Sequence, residues 1–383
     1  MASYLERIND KVLIFDGATG TNLQLRGLTA DDFGGESLEG CNEALVLTRP
    51  QIISELHDSF LAVGVDAIET DTFGAFSIVL AEYDLAEKAY QLNYQAAQLA
   101  REVANSYGSK SDPKFVAGSV GPGTKFPTLG QIPFAVLRDS YQTQAEGLIA
   151  GGVDLILIET VFDLLSAKAA IIAARRAMKK LGKQIPIQTQ VTIELTGRML
   201  PGTEIGAALT ALDAMGVDVI GINCATGPAE MSEHLRYLSS HARVPVSCLP
   251  NAGLPSVVDG KMHYDLTPAE LANYHSRFIS ELGIRVVGGC CGTTPEHLRH
   301  VVEKCSNLQP AKIAVEYEPS ISSLYSSVTL SQENAYLAIG ERTNANGSKR
   351  FREAMLDQDW DTCVEMARDQ VKEGAHAIDV CVD

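Results

Sequence analysis

The chain has 383 residues, a length that suggests two domains at about 100 to 200 residues per domain. Its composition, 45% hydrophobic and 21% charged, is that of a globular protein and argues against disorder and against a fibrous architecture. The formal net charge of -17 gives the chain no electrostatic surface for nucleic acid or anionic membrane. Small molecules and protein domains are therefore the expected partners.

The N-terminus has none of the features of a targeting segment. MASYLERINDKVLIFDG contains no basic region followed by an apolar one, and no run approaches the roughly 20 apolar residues of a membrane span. We therefore expect a cytoplasmic protein. Eight cysteines in such a chain are expected to be thiols, metal ligands or nucleophiles rather than a disulfide framework.

Short apolar runs rich in β-branched residues alternate with longer amphipathic stretches. The runs predict eight strands, at residues 12–17, 67–73, 115–122, 155–160, 186–193, 219–225, 244–253 and 286–294. The stretches between them, such as RPQIISELHDSFLAVG and AKAAIIAARRAMKKLG, have helical periodicity. Alternating strands and helices imply parallel pairing, and eight such units in about 300 residues fit an α/β fold, the (β/α)8 TIM barrel.

The periodic sequence pattern ends after a predicted last barrel helix at 295–307. Residues 311–335 are serine-rich and without periodicity, which predicts an irregular linker. A strand in YLAIGERTN, one helix in FREAMLDQDWDTCVEMARDQVKEGA and a strand in HAIDVCVD follow. These elements cannot bury their apolar faces alone, so residues 336–383 are expected to be the incomplete start of a second domain after a first domain at 1–310.

Polar and cysteine residues cluster where the predicted strands end. In a TIM barrel, functional residues lie at the carboxyl ends of the strands, which meet at one mouth. Here those ends carry Asp16, Glu69 to Thr72, Ser119, Glu159, Cys224, Asn251, Cys290 and Cys291. The sequence thus predicts a functional site at the barrel mouth.

Three of the eight cysteines, Cys224, Cys290 and Cys291, belong to this set, and the other five are expected to be structural. Three thiolates with no fourth cysteine at an equivalent strand end describe a catalytic zinc site with one open position. Adjacent residues of a regular strand point to opposite faces, so the doublet can share a metal only where the strand breaks, as its flanking glycines allow. The alternatives are buried small hydrophobes or a strained vicinal disulfide.

The carboxylates at the mouth favour a zwitterionic substrate. Asp16 lies in FDGATGT, where Gly17 and Gly20 let the backbone approach a ligand closely, and Glu159 in LIET is placed to pair with an ammonium group. The alternatives are a capping role for Asp16 and an ion pair at the sheet rim for Glu159.

Several motifs together resemble a known family over roughly residues 10–305. FDGATGTNLQ, GVDLILIET, GINCATGP, PNAGLP and GGCCGTTPEHL are similar to the zinc-dependent homocysteine S-methyltransferase family. The tail, with IGERTNANGSKRFREAM and QVKEGAHAIDVCVD, resembles the start of the folate-binding barrel of cobalamin-dependent methionine synthases. The resemblance implies the N-terminal part of such an enzyme, lacking the cobalamin domain and most of a second (β/α)8 barrel.

The resemblance also implies roles for individual residues. The Zn²⁺ ligands would be Cys224, Cys290 and Cys291. The residues beside homocysteine would be Asp16, Gly17 and Glu159, with Asn251 approaching the metal when substrate is absent. The folate contacts would be Glu341, Asn344 and Asp379. Within ETDTF, Asp71 stands where many relatives have Asn.

The implied reaction is methionine biosynthesis. A zinc-bound homocysteine thiolate would accept a methyl group from methylcobalamin, itself recharged by 5-methyltetrahydrofolate, with the cobalamin-binding and folate-binding domains as partners. One alternative is a free-standing homocysteine S-methyltransferase that uses betaine or S-methylmethionine. The other is a non-enzymatic barrel that holds structural zinc and serves as a docking platform.

Overall fold

The computed structural model describes residues 3–258, 261–332 and 336–383. It divides into two compact units, Met1–Glu316 and Tyr317–Asp383. The last three residues of the predicted linker, 333–335, lie outside the described residues. Within the described ranges, no helix is both long enough and apolar enough to cross a membrane.

The first unit is built on eight parallel strands that close into a barrel. The described residues of this unit contain ten strands, of which β8 and β9 lie outside the barrel sheet: β1 (Leu13–Ile14), β2 (Ala67–Glu69), β3 (Phe115–Val120), β4 (Leu155–Val161), β5 (Ile187–Val191), β6 (Val219–Asn223), β7 (Val246–Leu249), β8 (Pro255–Val258), β9 (Lys261–Tyr264) and β10 (Val286–Val287). The barrel order is β1-β10-β7-β6-β5-β4-β3-β2, and a parallel bridge between Phe15 and Ala67 joins the two ends. The predicted α/β TIM barrel is confirmed.

Helices alternate with the strands of this unit. They are α1 (Tyr4–Asp10), α2 (Thr19–Gln24), α3 (Ala30–Phe33), α4 (Leu45–Thr48), α5 (Pro50–Ala62), α6 (Ser77–Leu80), α7 (Ala89–Tyr107), α8 (Phe134–Gly151), α9 (Leu164–Leu181), α10 (Ile205–Ala214), α11 (Pro228–His241), α12 (Pro268–Leu282) and α13 (Pro295–Cys305). Four of them begin at a proline, whose fixed φ and missing N–H suit the first helical position.

Helix α1 closes the amino end of the barrel. Tyr4 and Ile8 are buried there, with the Tyr4 ring edge-on to Phe15 and Phe115. The Tyr4 hydroxyl donates a 2.6 Å hydrogen bond to the side-chain carbonyl of Gln188 in β5. Because this end is sealed, the carboxyl end is the one left for a ligand.

Two features of the first unit differ from the sequence-based expectation. Strands β1 and β10 have two residues each, and β10 ends at Val287 because the glycine-rich turn after it leaves the sheet. An antiparallel hairpin, β8 with β9, follows β7 and was not predicted. Both differences lie at the carboxyl end of the barrel, beside the predicted site.

The second unit contains β11 (Ser320–Ser322), β12 (Ser327–Thr329), β13 (Ile339–Asn344), α14 (Lys349–Leu356), α15 (Trp360–Lys372) and β14 (Ala377–Cys381). Strands β13 and β14 pair in parallel, as expected for a strand, helix and strand. The prediction of one helix is wrong, because Asp359 caps a new helix through the Thr362 N–H and Gln358 has a positive φ. The prediction of a wholly irregular linker is also wrong, since β11 and β12 form a hairpin within it.

Candidate active site

The carboxyl end of the barrel opens into a cavity of about 240 Å³. Of the residues predicted to bind zinc or homocysteine, five line this cavity: Gly17, Glu159, Cys224, Cys290 and Cys291. Glu69 to Thr72 and Ser119, which the sequence placed at the strand ends, line it as well. Asp16 and Asn251 are each 2% exposed and do not line it. None of the other five cysteines is among the lining residues that the structure describes.

Side chains alternate between the two faces of each strand, and this alternation places polar groups in the cavity. Leu155 and Leu157 of β4 pack in the cluster inside the barrel, and the same period of two turns Glu159 inward at the end of that strand. Ser119 at the end of β3 and Asn223 at the end of β6 occupy equivalent positions. A barrel that is apolar at its base therefore becomes polar at its mouth.

The three mouth cysteines converge although two of them are adjacent in the sequence. Their Sγ atoms all lie within 4.8 Å of one another, and those of Cys224 and Cys291 are 3.8 Å apart. Cys224 has a φ of 60°, and the doublet lies in the cysteine turn, residues 288–293, after β10 has ended. The Cys290 N–H donates to the Pro250 carbonyl (2.8 Å), which ties this turn to the end of β7. The structure thus has the strand break that a shared metal requires.

The proximity of the three thiols prevents them from ionising together. Hydrogen bonds from Cys224 and Cys290 lower the pKa of the Cys291 thiol to about 3. Hydrogen bonds with Cys224 and Cys291 raise the pKa of Cys290 well above its usual value. Only one of the three thiols therefore ionises readily, and full ionisation needs a cation between them. This donor set fits a soft divalent metal ion.

Three carboxyl groups, those of Asp16, Glu69 and Glu159, form a buried acidic cluster next to the thiols. Burial raises the pKa of Glu159 to about 7, against a 2.5 Å hydrogen bond from the Ser119 hydroxyl. Burial also raises the pKa of Asp16, against the hydrogen bond that it accepts from the Glu69 N–H (3.0 Å). One oxygen each of Asp16 and Glu69 is buried without a hydrogen-bond partner. No Lys, Arg or His is among the described residues that line the cavity, so a ligand ammonium would supply the missing charge.

Asn223 connects the acidic cluster to the thiols and was not among the predicted site residues. Its Nδ2 lies 2.8 Å from Thr160 Oγ1, 3.3 Å from Glu159 Oε2 and 3.9 Å from Cys290 Sγ. Its Oδ1 accepts a hydrogen bond from the Thr160 N–H (2.7 Å), at a residue with a φ of 54°. Its place at the inward end of β6, just before Cys224, was the signal that could have revealed it.

Glu43 and Asp71 form a second acidic pair, and both residues line the same cavity. Glu43 accepts a 2.6 Å hydrogen bond from the Gly74 N–H, and Oδ2 of Asp71 is buried without a partner. Burial, and then the charge of Glu43, raise the pKa of Asp71. Asp71 continues the alternation by which every second side chain of β2 points inward. No sequence signal identifies Glu43, because its loop has no periodic pattern.

The remaining predicted residues occupy two separate places. Asn251 follows β7, and its Oδ1 is buried without a hydrogen-bond partner. In the second unit, Asn344 Nδ2 donates to Asp379 Oδ2 over 2.8 Å, so the parallel pairing of β13 and β14 brings these two side chains together. Glu341 is exposed on β13.

Two family models match the chain. The one described as Homocysteine S-methyltransferase covers residues 13–305, and the one described as Pterin binding enzyme covers residues 340–383. The chain belongs to the homocysteine S-methyltransferase family. The three mouth cysteines and the acidic cluster lie within the first match.

Individual relatives agree with this assignment. Methionine synthases from Mycobacterium tuberculosis and Mycobacterium leprae are 52% and 50% identical to this chain, over 99% of its length. The alignments cover 32% of each relative, so the chain spans about a third of their length. The homocysteine methyltransferase MmuM from Escherichia coli, in its metallated form, superposes with a TM-score of 0.63 at 23% identity, covering 78% of this chain and 98% of that one. Its oxidized form gives a TM-score of 0.62, again at 23% identity, over 76% and 95%. These superpositions show a shared fold.

Proposed function

We propose that this chain is the homocysteine-binding and activating module of a methionine synthase. The observation that carries the proposal is a triad of converging thiols beside an uncompensated acidic cluster, at the mouth of a barrel of this family. Thiolates suit a metal that binds sulfur, and the carboxylates suit an α-ammonium group. Together they complement an amino acid that carries a thiol.

The proposed metal is Zn²⁺, held by Cys224, Cys290 and Cys291. Three thiolate ligands from a barrel mouth leave one coordination position for a substrate, which distinguishes this set from a closed structural site. Zinc bound there would take the homocysteine sulfur as fourth ligand and lower the pKa of that thiol, which is near 8.5 in water.

The chain's own residues would hold the rest of the amino acid. Glu159, oriented by Ser119 and Asn223, would face the ammonium group together with Asp16. Gly17 would let the backbone N–H groups of its loop approach the carboxylate. The unpartnered Oδ1 of Asn251 is an additional contact on the metal side.

The proposed methyl donor is methylcobalamin on another domain, recharged by 5-methyltetrahydrofolate. The pterin-binding match at 340–383 and the identity to methionine synthases favour this donor over betaine or S-methylmethionine. Residues 1–310 would form the homocysteine domain and residues 311–335 the linker. Residues 336–383, with Glu341, Asn344 and Asp379, would begin the folate domain of a cytoplasmic enzyme.

Metal analysis of the reduced protein, purified anaerobically, tests the site directly. About one zinc per chain is expected for the wild type and none for Cys290→Ala, because two remaining thiols cannot hold the ion. Cys248→Ala is the matched control, since Cys248 is fully buried in β7 and outside the cavity. A folded wild type without metal would refute the proposal.

Calorimetry and turnover separate the alternatives. Homocysteine binding that requires zinc and releases a proton indicates an open activating site. Zinc without homocysteine binding would support the structural docking barrel instead. Methionine formed from betaine or S-methylmethionine without cobalamin would support the free-standing enzyme.

A further inference from the structure

One buried hydroxyl joins the thiol side of the cavity to the segment that follows β1, where the proposed homocysteine contacts Asp16 and Gly17 lie. Thr293 is fully buried in the cysteine turn. Its hydroxyl donates to the Cys290 carbonyl (2.6 Å) and accepts from the Ala18 N–H (3.2 Å). A single oxygen therefore links the backbone of a proposed zinc ligand to the segment after β1, residues 16–22, which includes the first turn of α2 and is called the β1 loop below.

Further hydrogen bonds reinforce this link. The Asn22 side-chain amide donates to the Thr293 carbonyl (2.9 Å), and the Gly292 N–H donates to the Thr21 hydroxyl (3.1 Å). The Gly289 N–H donates to the Asp16 carbonyl (3.1 Å). The cysteine turn and the β1 loop are thus joined along their length.

Packing around Thr293 leaves this contact little freedom. A Cβ added to Gly17 would lie 2.5 Å from the Thr293 hydroxyl oxygen, and one added to Gly289 would lie 2.4 Å from the same atom. Both distances are shorter than real contacts, so the threonine side chain occupies the space that the two glycines leave. The hydroxyl is held between the two segments.

We propose that Thr293 is a positioning residue that couples the zinc half of the cavity to its amino-acid half. Because the β1 loop and the cysteine turn are joined through this hydroxyl, ordering one segment orders the other. Binding of zinc and of homocysteine would then favour each other beyond the direct bond between metal and sulfur, by the reciprocity of linked sites. This inference rests on the proposed function and adds a residue that is not among the described residues lining the cavity.

A set of threonine variants tests the coupling. Thr293→Val removes the hydroxyl and keeps the shape, whereas Thr293→Ser keeps the hydroxyl. Thr189→Val is the matched control, because Thr189 is fully buried in β5 with a hydroxyl that has no hydrogen-bond partner. Zinc affinity is measured by chelator competition, and homocysteine affinity by calorimetry at zinc concentrations that saturate each variant.

Both affinities are expected to fall about 10- to 100-fold in Thr293→Val, the usual effect of losing an outer-shell contact. Thr293→Ser and Thr189→Val are expected to stay close to the wild type. Zinc affinity that falls while homocysteine affinity is unchanged would overturn the coupling, as would no change in either.

Asn22→Ala provides a second route if Thr293→Val does not fold. It removes the bond to the Thr293 carbonyl and is expected to lower both affinities about fivefold, and unchanged affinities would again overturn the inference. A wild type that binds neither zinc nor homocysteine would refute the proposed function itself. That outcome is distinct from a failure confined to the variants.

Discussion

Replacing Glu159 by Gln tests whether the acidic cluster is maintained at the expense of stability. Burial raises the pKa of Glu159 from its usual 4.5 to about 7. Between these two pH values the folded protein keeps a proton that the unfolded chain has released, so stability falls as pH rises through this window. At 1.36 kcal/mol for each tenfold change in proton affinity, the cost of the ionised carboxylate above pH 7 is about 3 kcal/mol. Gln is neutral throughout and avoids this cost.

The assay is urea unfolding of metal-free, reduced protein at pH 5 and pH 8. Relative to the wild type, Glu159→Gln should gain about 2 kcal/mol between the two pH values, because most of the titration lies there. The Gln amide replaces a carboxylate oxygen that accepts a hydrogen bond from Asn223 Nδ2. The loss of this hydrogen bond should lower the free energy of unfolding by about 1 kcal/mol at both pH values. Homocysteine affinity at pH 8 should fall about 10- to 100-fold, since the ammonium group loses its anion.

A matched control uses Glu233, whose side chain is 81% exposed. Glu233→Gln should show no pH-dependent gain and no loss of homocysteine affinity. A stability difference for Glu159→Gln that is the same at both pH values would refute the reasoning, because it would mean that Glu159 titrates normally in the folded protein.

Three other substitutions have definite expected outcomes. Asp71→Asn removes a buried charge that faces Glu43 and should raise stability at pH 8 by about 1 kcal/mol or more in urea unfolding; a loss would show that the charge has a partner. Asn223→Ala leaves the Thr160 N–H unpaired and should destabilise by about 3 kcal/mol while weakening homocysteine binding in calorimetry. Tyr4→Phe removes a buried hydrogen bond at the closed end of the barrel and should destabilise by about 1 to 3 kcal/mol, with zinc and homocysteine affinities unchanged.

The barrel and the general position of its site could be predicted because both follow from local periodicity. The run LILIET fixes a buried strand, and its alternation determines which side chains point inward. Ser119, Glu159 and Cys224 were placed at the mouth by the strand ends alone. The hairpin of β8 and β9 escaped prediction, although an Asp-Gly pair, a usual hairpin signal, separates its two short strands in the sequence.

Contacts between loops could not be predicted, because no period relates the segments that make them. The Ala18 N–H and the Thr293 hydroxyl are 275 positions apart, and only closure of the barrel brings them together. Asn223 and Glu159 are separated by 64 positions, and their contact requires the spacing of β4 and β6 across β5. The strand pattern thus specifies which residues reach the mouth, and barrel closure specifies which of them touch.

Buried carboxylates at the two ends of the barrel differ in whether they have hydrogen-bond and ion-pair partners. Asp66, at the amino end, is buried and paired with Lys11 at 2.6 Å, and it accepts the Ile14 N–H. At the carboxyl end, Asp16 and Asp71 are equally buried, and each keeps an oxygen without a hydrogen-bond partner. Since the same sheet satisfies such a group at one end, the fold itself does not impose the deficit at the other. An uncompensated cluster beside three thiols is therefore best explained by a cationic ligand that completes it.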